Sequence, residues 1–352
     1  MRRRVSRLAV GTLTALVAAA CSPGPQPVRE VRTAPGGPLK LGFLLDNTHE
    51  RWQRDRQLFT DRAHALGAEV LVAAAEGDQA RQNALAEELF DAGIAVLVLV
   101  PHSADGAAGI VQAAKSRKIP VISYDRLVRN ADVDLYVSFD NVKVGEMQAQ
   151  YLLNRAPRGR YVLIGGAPTD NNARECRAGQ LKVLEPAVRS GAVQVVADPW
   201  TPDWQAAEAA KLTAEALDAA KNDVVAVVAS NDVTAGGVVQ VLRSRSLAGT
   251  VLVSGQDAEL DAVRRIVAGT QAMTVYKPIG ALARLAARAA VQLAHGGPVD
   301  ASTTVDNGLK KVPASLLDPI LVDRSNLDSV LIADGFHTRD AVYPPARQPT
   351  PP

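Results

Sequence analysis

Short apolar runs alternate with longer amphipathic stretches along most of the chain. The runs are continuously hydrophobic and rich in β-branched residues, which predicts buried strands, whereas the stretches between them have the length and periodicity of helices. The first half contains the runs LKLGFLLDN, AEVLVAAA, IAVLVLVPH, PVISYDR and LYVSFDN. The second half contains the runs RYVLIGGAP, VQVVADPW, VVAVVASND, TVLVSGQD and AMTVYKP.

Strands without polar alternation are buried on both faces, and helices between them cover parallel sheets on each side. The pattern therefore predicts an α/β protein with two similar, doubly wound parallel-sheet domains. Glycines that follow the helical stretches, such as Gly67 and Gly93, are expected to cap helices. The sequence contains no G-x-G-x-x-G loop, Walker A motif or G-x-S-x-G elbow, so it does not indicate nucleotide binding or hydrolase chemistry.

The two ends of the chain differ from this pattern. Residues 1–20 combine four arginines with an apolar run that ends in three alanines, which predicts an export signal. Cleavage after Ala20 would expose Cys21 for lipidation, with plain secretion as the alternative. Residues 21–38 are rich in proline and glycine and predict a flexible tether, and residues 341–352 predict a disordered tail.

Charge and cysteine content narrow the function classes. Four of the 39 basic residues lie in the leader, so the remainder is nearly balanced against 37 acidic residues, and this argues against a nucleic-acid partner. Besides Cys21 the chain has one cysteine, Cys176, which we expect to be a small buried residue. The five histidines are scattered, so no zinc site is expected.

Polar residues and tryptophans follow the predicted strands, where open parallel sheets bind their ligands. They mix carboxylates, which accept hydrogen bonds, with basic groups, which donate them, and amides, which do both. This mixture suits a polyhydroxylated ligand, and tryptophan rings suit the C–H faces of a sugar, so carbohydrate is the predicted ligand class. The residues concerned are Asp46, Asn47, Trp52, Asp125, Arg126, Asp140, Asn141, Trp200, Trp204, Asn231, Asp232, Gln256, Asp257 and Lys277.

Some of these residues have a second interpretation. Asn47, Asn141 and Asp232 are equally well explained as helix N-caps. Trp200 is better explained by core packing at a domain edge. Arg126, Lys277 and Trp204 have no capping role, which favours ligand contact.

Several segments resemble the xylose-binding branch of the type I periplasmic sugar-binding family, which serves bacterial ABC importers. They are HERWQRDRQLF, YDRLVRNADVDLYVSFDNVKVGEMQAQ, PTDNNARECRAGQLKVL, VVASNDVTAGG, SGQDAEL, GTQAMTVYKPI and DGFH. The resemblance covers about Lys40 to His337. It implies two α/β domains joined by three crossings of the chain, with the ligand in a cleft that closes by hinge bending.

The crossings are expected after VSFDN, near VYKP and near TTVDNGLKKVP. The N-terminal domain would then comprise residues 39–141 and 278–305, and the C-terminal domain residues 142–277 and 306–340. The related galactose-binding branch carries a calcium loop, but this chain has no matching run of oxygen ligands, so we expect no metal and no cofactor.

Matched position by position, the resemblance also implies the binding residues. Trp52 and Trp204 would sandwich the sugar ring from opposite domains, and the polar residues would bond its hydroxyls. Glu175 and Cys176 depart from the family pattern, where apolar residues are expected. The implied binding residues are Arg51, Trp52, Asp125, Arg126, Asp170, Asn172, Trp204, Asn231, Asp257 and Lys277.

Together these observations predict an exported lipoprotein, anchored at the membrane outside the cytoplasm, that binds D-xylose or a closely related monosaccharide and delivers it to an ABC permease. A sensor that presents its sugar to a membrane receptor is the alternative, since both roles would use the outer surfaces of the domains. An enzyme is less well supported, because no nucleophile or cofactor motif is present. A repressor would need a DNA-binding helix pair where this chain has its leader. We expect a monomer.

Overall fold

The computed structural model describes residues 37–344. The predicted signal peptide, the proposed lipid site at Cys21 and the end of the tail therefore lie outside the described residues. The described chain forms two lobes, each built around a sheet. Lobe one begins with β1 (Leu39–Leu45), α1 (Glu50–Ala65), β2 (Ala68–Ala74), α2 (Gln79–Asp91), β3 (Val96–Leu99), α3 (Ala108–Ser116), β4 (Val121–Tyr124) and β5 (Leu135–Phe139).

Lobe two follows, and the chain then returns to lobe one before it ends on lobe two. Lobe two contains α4 (Asn141–Arg155), β6 (Gly159–Ile164), α5 (Asn171–Arg189), β7 (Val193–Ala197), a 3-10 turn (Pro202–Trp204), α6 (Ala206–Ala219), β8 (Ala226–Ala229), α7 (Asp232–Ser244), β9 (Leu252–Val253), α8 (Leu260–Val267) and β10 (Thr274–Tyr276). The return to lobe one comprises α9 (Ile279–Ala294), β11 (Thr303–Asp306) and β12 (Lys311–Leu317). The last elements, on lobe two, are β13 (Ile320–Val322), a π-helical turn (Asp328–Ile332) and α10 (Arg339–Val342).

Both sheets are mainly parallel, which confirms the predicted α/β fold. Lobe one has the strand order β11-β12-β5-β4-β3-β1-β2, in which only the β11–β12 pair is antiparallel. Lobe two has the parallel order β7-β6-β8-β9. A β10–β13 ribbon extends this sheet, because the Val275 N–H donates to the Gly255 carbonyl at 3.1 Å.

Apolar side chains cover both faces of the lobe-one sheet, as the continuous hydrophobic runs predict. All residues of β3 and β4 are buried. The Phe43 ring lies 4.6 Å from the Phe59 ring of α1 and 5.3 Å from the Tyr124 ring, centroid to centroid. This packing fixes α1 over the end of β4, where the Asp125 side chain emerges.

Two glycines allow α4 and α5 of lobe two to approach closely. A Cβ atom on Gly145 would lie 1.9 Å from the Cys176 carbonyl oxygen, and one on Gly179 would lie 2.0 Å from the Val142 carbonyl oxygen. Only glycine fits such a contact, so these positions set how closely the two helices pack. The contact fixes the start of α5, which carries Asp170 and Asn172 to the space between the lobes.

The third crossing of the chain differs from our expectation. The sequence pattern and the resemblance predict residues 306–340 in the C-terminal domain, but β12 pairs in parallel with β5 inside the lobe-one sheet. Its Val312 and Ala314 side chains are buried in the lobe-one core, and this burial holds the strand there. The third crossing therefore lies between Leu317 and Ile320, and the other domain boundaries stay predictions.

Candidate functional site

A cleft between the lobes brings all ten predicted binding residues together. The empty volume of the cleft is about 580 Å³, including the part open to solvent. Lobe one contributes residues from the ends of β1 and β4 and the start of α1, and lobe two contributes the rest. The residues that line it are Asn47, His49, Arg51, Trp52, Asp125, Arg126, Asp170, Asn172, Asp203, Trp204, Asn231, Val233, Gln256, Asp257, Glu259 and Lys277.

Asp125 and Asp257 occupy equivalent turns of the two lobes, which we call the strand-end turns. Asp125 follows β4 with φ of 60°, and Asp257 follows β9 with φ of 93°. Each backbone N–H donates to a neighbouring strand at 2.8 Å, from Asp125 to the Val137 carbonyl and from Asp257 to the Val275 carbonyl. Positive φ is unfavourable for aspartate and persists where surrounding structure holds it, typically at functional sites.

The Arg51 guanidinium joins the two strand-end turns across the cleft. Its Nη2 lies 2.6 Å from Asp125 Oδ2, and its Nη1 lies 2.9 Å from Asp257 Oδ1. Its Nε lies 2.6 Å from Asp55 on the next turn of α1. Lys277 Nζ adds a second cation, 2.9 Å from Asp257 and 3.9 Å from Asp125. One arginine thus connects lobe one to lobe two through charge-assisted hydrogen bonds.

Asp125 is ionised despite its burial. Burial would raise the pKa of Asp125, but the neighbouring cations Lys277, Arg51 and Arg126 outweigh it and lower the pKa to about 2. The carboxylate therefore accepts hydrogen bonds and does not donate them at neutral pH.

Arg126 does not pair with its neighbour Asp125 but forms a second bridge between the lobes. Its Nη1 lies 2.8 Å from Asp46 Oδ2 in lobe one, and its Nε lies 2.8 Å from Asp170 Oδ2 in lobe two. His102 Nδ1 contacts the other oxygen of Asp46 at 2.9 Å. The adjacent opposite charges at the end of β4 thus have separate partners.

The start of α5 places two more predicted residues at the cleft. Asp170 caps the helix by accepting from the Asn172 N–H at 2.9 Å. It also accepts from Trp204 Nε1 at 3.2 Å. Asn172 Nδ2 donates to Asp125 Oδ1 at 3.0 Å and thereby reaches lobe one. The Asp170 side chain thus caps the helix and also connects the lobes through Arg126, whereas the Asn172 side chain contacts lobe one.

The three tryptophans have different environments. Trp52 is 6% exposed and packs in the lobe-one core, with the Arg51 guanidinium 5.0 Å from its ring centroid. Trp204 is partly exposed and lies over Gly166, where a Cβ atom would come within 2.1 Å of the ring. Trp200 does not line the cleft; it is half-buried, and its ring packs 4.8 Å from the Arg177 guanidinium. Its role in core packing stays a prediction.

Asn231 is both a cleft residue and a helix N-cap. It lines the cleft and also caps α7, since its Oδ1 accepts from the Thr234 N–H at 2.9 Å. Asp232 is buried behind it and accepts from Thr274 Oγ1 at 2.9 Å and from the Glu259 N–H at 3.0 Å. Asp232 therefore supports the lobe-two turn from inside the lobe.

The sequence prediction missed several residues that the structure places at the cleft or directly behind it. Asp203 and Glu259 lie next to predicted residues in the same turns, so adjacency was the available signal. Asp55 lies four residues after Arg51 on α1, so its i,i+4 spacing was the available signal. His102 gave no signal, because its partner Asp46 is distant in sequence. Burial, together with Asp232 and Asp257 nearby, raises the pKa of Glu259 to about 8.

The family model for the periplasmic binding protein domain matches residues 41–298. The chain belongs to the periplasmic binding protein family. This confirms the family predicted from the sequence.

Relatives and solved structures agree with this membership. The protein is 49% identical to the D-xylose-binding periplasmic protein of Haemophilus influenzae, over 87% of this chain and 92% of that one. It is 48% identical to the D-xylose-binding periplasmic protein of Escherichia coli, over 85% and 91%. The solute-binding protein of a carbohydrate transporter from Chloroflexus aurantiacus, solved in complex with D-glucose, superposes with a TM-score of 0.82 at 32% identity, over 86% and 98%.

Two further features of this periplasmic binding protein concern metals and membranes. Within residues 37–344, no group of three or more histidine, cysteine or acidic side chains is arranged to hold a metal ion. Over the same range, none of the helices has the length and apolar character needed to cross a membrane.

Proposed function

We propose that this periplasmic binding protein binds D-xylose, or a closely related monosaccharide, in the cleft and delivers it to an ABC permease. The observation that carries the proposal is the convergence of ten predicted binding residues on one cleft, in a chain nearly half identical to D-xylose-binding relatives. Export and a lipid anchor at Cys21 belong to the same proposal and concern residues outside the described part.

The chemistry of the cleft suits recognition better than catalysis. Each sugar hydroxyl can donate one hydrogen bond and accept others. Asp125 would accept, Arg126 and Lys277 would donate, and Asn231 has a side-chain amide that can donate. With its pKa at about 2, Asp125 is a weak proton acceptor, which disfavours a role as a general base near neutral pH.

Closure of the lobes is the proposed step that links sugar binding to recognition by a permease. Arg51 and Arg126 each contact carboxylates of both lobes, so the bridges they form exist only while the lobes are close. A sugar that fits between the lobes would favour this closed arrangement, and a permease would recognise it.

Isothermal titration tests the proposal. The full-length protein is unfolded and refolded to remove any sugar that was carried through purification. It is then titrated with D-xylose, D-glucose, D-ribose, L-arabinose and D-galactose. We expect one-to-one binding that is tightest for D-xylose. Absence of binding to all five sugars would overturn the proposal and favour a different ligand, with the sensor alternative then preferred.

A further inference from the structure

The segment Asp334–His337 is fixed to lobe two beside its strand-end turn. The Tyr276 hydroxyl donates to Asp334 Oδ2 at 2.5 Å, and the Tyr276 and Phe336 ring centroids are 4.7 Å apart. His337 Nε2 lies 2.7 Å from the carbonyl oxygen of Ala258, the residue that follows Asp257. The segment therefore moves with the turn that carries Asp257.

Arg54, on α1 of lobe one, contacts this segment. Its Nη2 donates to the Phe336 carbonyl oxygen, and its guanidinium lies 4.0 Å from the Phe336 ring centroid. Arg54 follows Arg51 by three residues, so the two side chains lie on the same face of the helix, about one turn apart. We call the pair of Arg54 and Phe336 the interlobe latch, because it connects a lobe-one helix to a lobe-two segment.

The interlobe latch lies behind the cleft and not in it. Arg54 and Phe336 line a small neighbouring pocket together with Arg51 and Asp257. Neither Arg54 nor Phe336 belongs to the cleft lining among residues 37–344. Arg51 and Asp257 therefore stand between the latch and the space assigned to the sugar.

We propose that Arg54 is a positioning residue that sets sugar affinity through the interlobe latch without touching the sugar. This inference rests on the proposed function. A contact made between lobes in the closed arrangement favours closure, and the apparent affinity changes with the fraction of protein that is closed. The latch also holds α1 against lobe two and so keeps Arg51 within reach of Asp257.

This mechanism has a specific signature. A residue that touches the sugar changes the affinities of different sugars by different factors. A residue that acts on closure alone changes all of them by the same factor, because the open and closed populations shift before any sugar is distinguished. Selectivity among sugars therefore separates the two roles.

The test is titration of the full-length Arg54→Ala variant with D-xylose and with the weaker-binding sugars of the same panel. We expect each affinity to fall by about tenfold, within the range of a cation–π contact combined with a hydrogen bond. The ratios between sugars should stay within twofold of the wild type. Phe336→Leu keeps the backbone carbonyl that accepts from Arg54 and removes only the contact with the ring, so it should give a smaller loss. The double variant should lose less than the product of the single losses, because the two residues act as a unit.

Arg117→Ala is the matched control. Its guanidinium lies 5.2 Å from the Phe90 ring centroid, and both residues belong to lobe one. This substitution removes an arginine–aromatic contact that does not join the lobes, so sugar affinity should not change. Arg54→Ala with wild-type affinity, or with altered sugar ratios, would overturn the inference. A wild-type protein that binds no sugar would refute the proposed function and, with it, this inference.

Discussion

Asp125 in lobe one and Asp257 in lobe two occupy turns with similar backbone conformations and different electrostatic surroundings. The Asp125 carboxylate contacts Arg51 at 2.6 Å and Asn172 at 3.0 Å, with Lys277 at 3.9 Å, and its side chain is 4% exposed. The Asp257 carboxylate contacts Arg51 and Lys277, each at 2.9 Å, and its side chain is 12% exposed. Each carboxylate thus has two donors within 3.0 Å, and the one in lobe one is the more enclosed.

The two turns also differ in the pKa values of their acids. In lobe one, cationic neighbours lower the pKa of Asp125 to about 2. Behind the lobe-two turn, burial raises the pKa of Asp232 to about 7, and burial with nearby carboxylates raises that of Glu259 to about 8. Asp125 therefore carries a fixed charge near neutral pH, whereas the pKa values of Asp232 and Glu259 lie near neutrality.

The largest expected effect on sugar affinity distinguishes Asp125 from Asp257. Asp125→Asn should weaken sugar binding by about a hundredfold or more, because it leaves buried cations without their shared counter-charge. Asp257→Asn should weaken it by about tenfold, since that carboxylate has more contact with solvent. Isothermal titration with D-xylose measures both losses.

Asp132→Asn is the control for this comparison. Asp132 is an aspartate of lobe one that also contacts lysine, but its side chain is 51% exposed. Screening makes such pairs weak, so we expect sugar affinity and thermal stability to stay close to the wild type. Equal losses for Asp125→Asn and Asp257→Asn would show that the degree of enclosure does not distinguish the turns.

The tryptophans provide the next test, because each lobe contributes one to the cleft. Trp204→Ala should weaken sugar binding by about ten- to a hundredfold with little change in the melting temperature, since the ring is partly exposed. Trp52→Ala should mainly destabilise the fold, by about 3–5 kcal/mol, because that ring is packed in the core. Gly166→Ala, which displaces the Trp204 ring, should reproduce part of the Trp204→Ala loss.

Titration and thermal unfolding, carried out on the same preparations, check these expectations. Trp204→Ala with unchanged sugar affinity would remove the ring from the proposed site. Trp52→Ala with wild-type stability would mean that its burial contributes little to the lobe-one core.

The strands and the strand-end residues were predictable from sequence because each depends on a short stretch of chain. A continuous apolar run specifies a strand buried on both faces, and its last residues fall at the carboxyl edge of a parallel sheet. Asp125, Arg126 and Lys277 were found in this way. The roles implied for residues such as Asp170 and Asn172 came from the resemblance, and their contact with sugar stays a prediction.

The misplaced strand β12 and the missed residues behind the cleft have identifiable physical causes. The strand β12 has the sequence KVPASLL, in which Pro313 and two polar residues interrupt the apolar run, so its place in the lobe-one sheet was not predictable from that pattern. The ion pair of Asp46 with His102 depends on how separate elements pack, whereas Arg51 and Asp55 are one turn apart on α1. Residue order alone does not specify that packing.

The smallest expected effect concerns Glu259, the carboxyl group behind the lobe-two turn. The pKa of Glu259 is about 8 in the folded protein, against an ordinary value of 4.5. Between these values the folded protein holds a proton that the unfolded chain has released. The protonated Glu259 side chain therefore makes its full contribution to the free energy of unfolding below about pH 4.5, and this contribution is lost as the pH rises to about 8.

Glu259→Gln replaces the titrating carboxyl group with a neutral amide. It should therefore flatten the fall in melting temperature between pH 5 and pH 8.5. We expect the wild type to lose roughly 2–4 °C more than the variant over this interval, corresponding to about 1 kcal/mol after solvent screening. Asp232 keeps a smaller slope in both proteins, because its pKa of about 7 is also raised by burial. Glu215→Gln is the control, since Glu215 is an exposed carboxylate on α6 of the same lobe and is not among the groups that raise the pKa of Glu259. Parallel pH profiles for the wild type and Glu259→Gln would mean that the lobe-two turn, like the lobe-one turn, keeps its charge fixed near neutral pH.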